Sequence, residues 1–433
     1  MFRLRLIASA VRDFVLNLSH PLGLIFIVYP IEGVQRLWYR LDPRLYDERL
    51  RIRRISEGRQ LRSGSRYVLF VIYERQAIPA FTRTVIDAIQ RRGLNLVIST
   101  NARITPGLRE ALLENACLLI ERADLGRDFG GYKDGISIIQ RRFGTCDRLI
   151  LLNDSLFYFE SGLDGLIAAL DGEDDLIGMC EDHHLYYHIQ SFALSFGSRV
   201  LSHPRIRDYW RRYKPISTRR WAIGKGERDL TRRLVRAGFK PRIIYSAAGL
   251  RPRLRDCGFG EHLDVVRLLP LPARKPLIER LDQFRMARTS TPLPIVDTLS
   301  RSVRRLQKMK SVAQEELHGM NIRELLTISQ RSLTLQGHHD EWAIQSMGDA
   351  IAAVVGDRNQ IHFGGFLFVK FLGMPAIKRD LFYRELYSLD ELDEYLIGLD
   401  EKFKEEIMAD FRQKGTARLL TGLSKTLYRH GSI

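Results

Sequence analysis

The chain has 433 residues, 45% of them hydrophobic, enough for packed cores and for one α/β domain of roughly 200 residues beside a more helical part. Its formal charge of +17, dominated by arginine, suits a polyanionic partner: nucleic acid, anionic lipid head groups or a diphosphate-bearing substrate. Four scattered cysteines, Cys117, Cys146, Cys180 and Cys257, show no CxxC or Cys/His spacing, which argues against a zinc site or a disulfide framework and fits a reducing compartment.

Residues 1–62 read as a basic, partly apolar segment. The run between Pro21 and Pro30 is far short of the roughly 20 residues a membrane-spanning helix needs. Asp13 and His20 before it, and the lack of a small-residue cleavage site, argue against a signal peptide. Arg3, Arg5, Arg12, this apolar run, Trp38, Tyr39 and the following arginine cluster compose either a membrane-surface anchor or a helix packed on the catalytic domain.

Residues 63–250 carry an α/β rhythm. Tyr67 to Tyr73 (YVLFVIY) is a short apolar run of the kind buried in a parallel sheet, and reads as the first strand. Ala80 to Arg92 has helical spacing stopped by Gly93, and Leu94 to Thr100 supplies a second strand. A helix after Pro106 and a strand at Ala116 to Arg122 follow. A polar, glycine-rich loop, GRDFGGYKDG, precedes a helix from Gly135 to Phe143 and a strand at Leu149 to Leu152. Two more strands are expected between Leu176 and Phe196, and a basic amphipathic helix from Arg205 to Tyr213. Lys225 onward reads as a loop entering a helix that stops at Gly238, and Pro241 returns to a strand. Residues 251–294, rich in proline and arginine without a sustained period, read as a linker or a surface-hugging segment. The region 295–433 reads as mainly helical, with helices at Ile295–His318, Ile322–Leu333, Asp340–Val355 and Ser388–Gln413. The short apolar stretch Gly364 to Lys378 reads as packing against the fold.

The strand LILL ends abruptly in Asn153, Asp154 and Ser155. A carboxylate at the end of a buried strand is where an α/β enzyme holds a ligand phosphate and its metal, so Asp154 is the candidate ligand of Mg²⁺ or Mn²⁺ on a nucleotide diphosphate, with Asn153 offering a neutral oxygen. An ordinary Asn/Asp turn is the alternative. In the glycine-rich loop, Arg127 is the candidate phosphate partner and Asp128 the ligand of sugar or ribose hydroxyls, with Lys133 and Asp134 beside them; solvated charges on a turn are the alternative. Glu227, just before a helix, is the candidate general base, or else a helix-start residue like its neighbour Asp229. Alternation places His188 and Gln190 on one strand face; with Ser191 they are candidates for an acceptor pocket, against a satisfied core histidine. His183 and His184, beside Glu181 and Asp182, read as a polar loop rather than a metal cluster, as do His338 and His339.

LFVIYER, GRDFGGYKDG, LLNDSLF, HIQSF and GERDLTRRLVRAGF together resemble the rhamnan synthesis F proteins, and Asn359 to Leu381 resembles them weakly. The order of motifs also looks like the GT-A fold of inverting family 2 glycosyltransferases. That resemblance implies a GT-A-like doubly wound, mostly parallel sheet flanked by helices, with Asp154 in the metal-ligand place and Glu227 as the base. It departs from the usual pattern in having one acid, not two, in each motif. The implied function is transfer of a sugar, rhamnose from dTDP- or GDP-rhamnose being the leading donor, to a glycan or lipid-linked acceptor with inversion, in the cytoplasm or on the inner face of the plasma membrane. A non-catalytic scaffold for polysaccharide assembly is the other reading. Nucleic acid is not expected as a partner, since the arginines are dispersed and no binding module stands out.

Overall fold

The structure, a computed structural model, describes residues 41–183, 186–279 and 336–420, with isolated positions between 30 and 39. The helices expected at Ile295–His318 and Ile322–Leu333, most of the N-terminal segment, and His184 lie outside the described residues. The chain forms two compact units, one built from residues up to Tyr245 together with those from Gly373 onward, the other from Ser246–Leu372.

The first unit is organised on an eight-stranded mixed sheet. Four parallel strands form its centre: β2 (Arg66–Ile72), β3 (Asn95–Thr100), β4 (Leu118–Arg122) and β5 (Arg148–Asn153). All four are buried along nearly their whole length, which explains why they read as continuous apolar runs rather than alternating ones. In front of them β1 (Ile52–Glu57) pairs antiparallel with β4. Beyond β5 lie β10 (Ala193–Gly197), antiparallel to both neighbours, then β7 (Leu176–Gly178) and the short β11 (Arg242–Ile243). The complete order is β1-β4-β3-β2-β5-β10-β7-β11. Thus β2 is flanked by β3 on one side and β5 on the other, so the order reverses at the β2/β5 pair, where open α/β sheets bind ligands beyond the carboxyl ends of their strands.

Helices α1 (Ala80–Arg91) and α2 (Pro106–Asn115) fall where periodicity and Pro106 put them. The next does not. The segment GRDFGGYKDG is no loop: it forms the first half of α3 (Arg127–Phe143). Glycine disfavours a helix in isolation, but here it permits contact. A Cβ on Gly131 would stand 2.8 Å from Val71 Cγ2 and one on Gly135 2.5 Å from Leu69 Cδ2, so this face of α3 lies hard against β2. A Cβ on Gly130 would meet the Leu125 carbonyl oxygen at 2.2 Å.

Three further readings are corrected. The first strand is β1, not β2, because residues of the arginine cluster are built into the sheet: Arg51 is buried against Asp134, and Arg53 donates to the carbonyls of Asn101 and Ala102, each at 2.9 Å. Arg51 is therefore closed off from any membrane surface. Lys225 to Arg228 is no loop but part of a wide π turn, Ala222–Arg228, that runs into helix α6 (Asp229–Arg236) after the basic helix α5 (Pro204–Arg212). In the expected linker, residues 251–279 are largely helical, including α7 (Ala247–Arg255), with Pro252 inside it, and α8 (Phe259–Arg267).

The second unit packs these helices with α9 (Gln336–Gly356) and α10 (Gln360–Leu372). Gly348 lets α9 approach α7, since a Cβ there would meet Leu254 backbone atoms at 2.9 Å. Arg255 grips Asp349 with two bonds of 2.9 and 2.8 Å, and Gln360 accepts from the Ala247 amide at 2.9 Å. The chain then returns to the first unit. Residues Ala376–Lys378 form β12, antiparallel to β6 (Leu156–Tyr158), so the end of the apolar stretch expected only to pack pairs with the strand that leaves Asp154. The helix expected over Ser388–Gln413 is two, α11 (Leu389–Tyr395) and α12 (Glu401–Lys414), each opened by a side-chain cap, Ser388 and Asp400.

Candidate active site

Beyond the carboxyl ends of β2 and β5, the chain gathers carboxylates and cations from six segments. Asp154 follows β5 directly, and its Oδ2 accepts the Tyr73 amide at 2.6 Å, which ties the β5 exit to the β2 exit. Arg379, just after β12, donates to the Asp154 carbonyl at 3.0 Å and to Glu74 at 3.2 Å, and is held by Asp410 of α12 at 2.5 Å. Its guanidinium lies 4.0 Å from Asp154 Oδ2. Burial nevertheless raises the Asp154 pKa, with Arg379 opposing it.

Asn153 connects Asp154's strand to α3. Its Nδ2 donates to Asp128 Oδ2 at 2.9 Å, while its Oδ1 accepts from Ser155 N at 3.1 Å and Ser155 Oγ at 2.6 Å. Lys378 Nζ donates in turn to Ser155 Oγ at 3.1 Å. Lys378, Ser155, Asn153 and Asp128 therefore form one hydrogen-bonded chain from β12 to α3. Burial and the charge of Asp154 push the Asp128 carboxyl up to about 6, against the pull of Lys378 and Arg127. The turn into α3 takes two left-handed residues, Gly126 at φ 82° and Arg127 at φ 50°. The second conformation is uncommon for a side chain with a Cβ. Arg127 is exposed, and its Nε donates to the Ser217 carbonyl at 2.8 Å.

The opposite wall comes from the π turn and the segment before β10. Glu227 Oε1 accepts from Ser191 Oγ at 2.8 Å and Ser191 N at 3.2 Å, and its Oε2 lies 3.6 Å from His188 Nε2. His188 and Gln190 share a face, as alternation required, with their Nε2 atoms 3.1 Å apart. His188, Gln190 and Ser191 are all buried. Tyr132 of α3 donates to the Ser191 carbonyl at 2.9 Å, and Gly226 leaves room for Phe129, whose ring atoms a Cβ there would meet at 2.6 Å. A glycine before Glu227 thus lets the π turn close onto α3.

Of the residues singled out in the sequence, Asp128, Asn153, Asp154, His188, Gln190, Ser191 and Glu227 belong to this connected region. Lys133 and Asp134 do not. Lys133 turns away, its Nζ donating to the Trp210 and Arg211 carbonyls at 2.5 and 2.8 Å at the end of α5, where burial lowers its pKa to about 8. Asp134 is fully buried between Arg51 and Arg122, at 2.6 and 2.8 Å. His183 is exposed beside Glu181; His338 and His339, read as a loop, lie instead at the start of α9, and their side chains are outside the described residues. Sequence reasoning missed Lys378 and Arg379, although both stand in the resembling segment that ends at Leu381.

A divalent cation is implied at Asp154, but the donor set does not fit one. The Asp154 oxygen facing Tyr73 is spent on that amide beside a guanidinium, and the Asn153 oxygen is occupied by two donors from Ser155. Among the described residues no three His, Cys, Asp or Glu side chains converge as metal ligands.

The fold and site define an α/β protein with a cluster of carboxylates at the switch point of its sheet. Residues 96–260, which include α3, Asp154 and Glu227, match the family model described as rhamnan synthesis protein F, bearing out the resemblance over that span. The chain is also similar to the uncharacterized protein y4gN of Sinorhizobium fredii, with 28% identity over 197 residues, 44% of this chain and 51% of that protein. The chain thus spans about half the length of this curated relative. Among the described residues no helix is long and apolar enough to cross a membrane.

Proposed function

We propose that the chain is a glycosyltransferase of rhamnan-type polysaccharide synthesis, taking a sugar from a nucleotide-diphosphate donor to a glycan or lipid-linked acceptor. The observation that carries this reading is the meeting of Asp128, Asp154 and Glu227 at the β2/β5 switch point within the segment that matches the rhamnan synthesis family. A GT-A-like fold is in keeping with the parallel centre and the carboxylate leaving β5. In this reading the acceptor hydroxyl oxygen attacks the anomeric carbon as the bond to the diphosphate breaks, the electron pair leaving with the diphosphate oxygen. Glu227, oriented by two bonds from Ser191, takes the hydroxyl proton. Asp128, at the head of α3, holds donor hydroxyls, and Arg127 lies next to it for phosphate. His188, Gln190 and Ser191 shape the acceptor side. The formal charge of +17 supports work beside anionic lipid or a diphosphate-linked carrier.

The test is release of nucleoside diphosphate from dTDP-rhamnose, GDP-rhamnose and UDP-sugars in the presence of glycan or lipid-linked acceptors. Glu227→Gln should lower turnover by about 10²- to 10⁴-fold at unchanged melting temperature. Full turnover in this variant removes the assigned base. An absence of turnover and of binding with every donor would favour a non-catalytic role in polysaccharide assembly.

A further inference from the structure

Resting on the transferase reading, we propose that Lys378 is the fixed cation that holds the donor diphosphate, in the place where a metal at Asp154 was expected. Lys378 lies more than 200 residues downstream of Asp154, outside the family match, and reaches the site because β12 pairs with β6, with Lys378 opposite Leu156. It is half-buried, with its ammonium 4.6 Å from the centroid of the Phe192 ring and 3.1 Å from Ser155 Oγ.

Three features favour an anion there. First, Arg379 is committed to Asp154, Glu74 and Asp410, whereas Lys378 donates a hydrogen bond to a neutral hydroxyl, and an ammonium has three donors to place. Second, burial lowers the Lys378 pKa, and the charges of Asp380, Glu227 and Asp128 oppose that and favour the ammonium form. Third, the Lys378–Ser155–Asn153–Asp128 chain fixes the lysine relative to the strand end, so the positive charge is preorganised rather than brought in with the substrate. When the bond between sugar and diphosphate breaks, the departing oxygen gains negative charge, and an ammonium held in a half-buried site stabilises it more than one in water.

Isothermal titration of the full chain with UDP, GDP and dTDP, each in EDTA and in Mn²⁺, tests this directly. At least one nucleotide should bind in EDTA, Lys378→Met should weaken that binding by about tenfold or more, and Lys378→Arg should largely restore it. Thermal unfolding of both variants checks that they are folded. Should Lys378→Met misfold, an EDTA-insensitive wild-type affinity together with full binding by Lys378→Arg still supports the proposal. Binding that requires Mn²⁺, or that is equal in wild type and a folded Lys378→Met, overturns it and leaves the transferase reading standing. Binding of no nucleotide under either condition overturns both.

Discussion

Asp128 and Asp134 sit on the same helix, α3, and the two regions around them handle a carboxylate in opposite ways. At Asp134, Arg51 from the chain before β1 and Arg122 from the end of β4 close on both oxygens, and Arg122 also reaches Asn101 at 2.6 Å. The geometry is saturated and no solvent reaches it. At Asp128 one oxygen meets a neutral amide, the nearest cations act from a distance, and Asp154 adds a second negative charge, which is why its carboxyl sits near pH 6. The middle of the helix uses its charge to hold the sheet to the helix; the first turn keeps charge imbalance available for a ligand. A close pair of sequence positions thus carries one structural and one chemical task.

The strongest way to break that comparison is Asp134→Ala. It leaves two arginines buried without their carboxylate, and should cost about 3–5 kcal/mol, read as a large fall in the urea midpoint. A loss below about 1 kcal/mol would mean that Arg51 and Arg122 are not enclosed as described. Next comes Gly130→Ala, between the two aspartates. Its Cβ would collide with the Leu125 carbonyl and stand 2.9 Å from Arg122 Nη2, so despite alanine's better helix propensity a loss of about 1–3 kcal/mol is expected. A more stable variant would show that the backbone before α3 yields freely.

Asp128→Asn has the smallest effect and the sharpest sign. Because the folded-state pKa is raised to about 6 from 3.8, the native protein holds a proton between these values that the unfolded chain has released. This group therefore lowers wild-type stability as pH rises from about 4 to about 6. The asparagine variant lacks that penalty. Relative to wild type it should gain roughly 1–2 kcal/mol between pH 4 and pH 7, the figure being reduced for the partial exposure of the site. Denaturation of both proteins at those two pH values measures it, and parallel stabilities would place Asp128 in an ordinary solvated environment.

Much of the centre of the sheet was legible from the chain, because strands covered on both faces must be apolar throughout: YVLFVIY, NLVIST, CLLIER and LILL all became parallel strands. The place of Asp154 at the end of LILL followed from the same pattern, whereas its position beside β2 came only from the strand order. The glycine-rich stretch was misread for a physical reason. Composition reports the intrinsic cost of glycine in a helix, whereas the contacts of Gly131 and Gly135 with β2 are long-range and leave no local period. Residues 251–279 were misread because proline and arginine density hid helices whose burial is supplied by α9, far along the chain.

By itself, then, the sequence determined the parallel centre, the strand end bearing Asp154, the shared face of His188 and Gln190, and the family resemblance across the middle of the chain. These depend on local period and on residue order. Only the tertiary structure decided that Lys133 and Asp134 leave the site, that Ser155 takes the Asn153 oxygen, and that Lys378 and Arg379 enter through β12. The reason is that charge pairing and strand addition are governed by distance in space: an aspartate in a polar motif looks the same in sequence whether its partner is a substrate or two buried arginines.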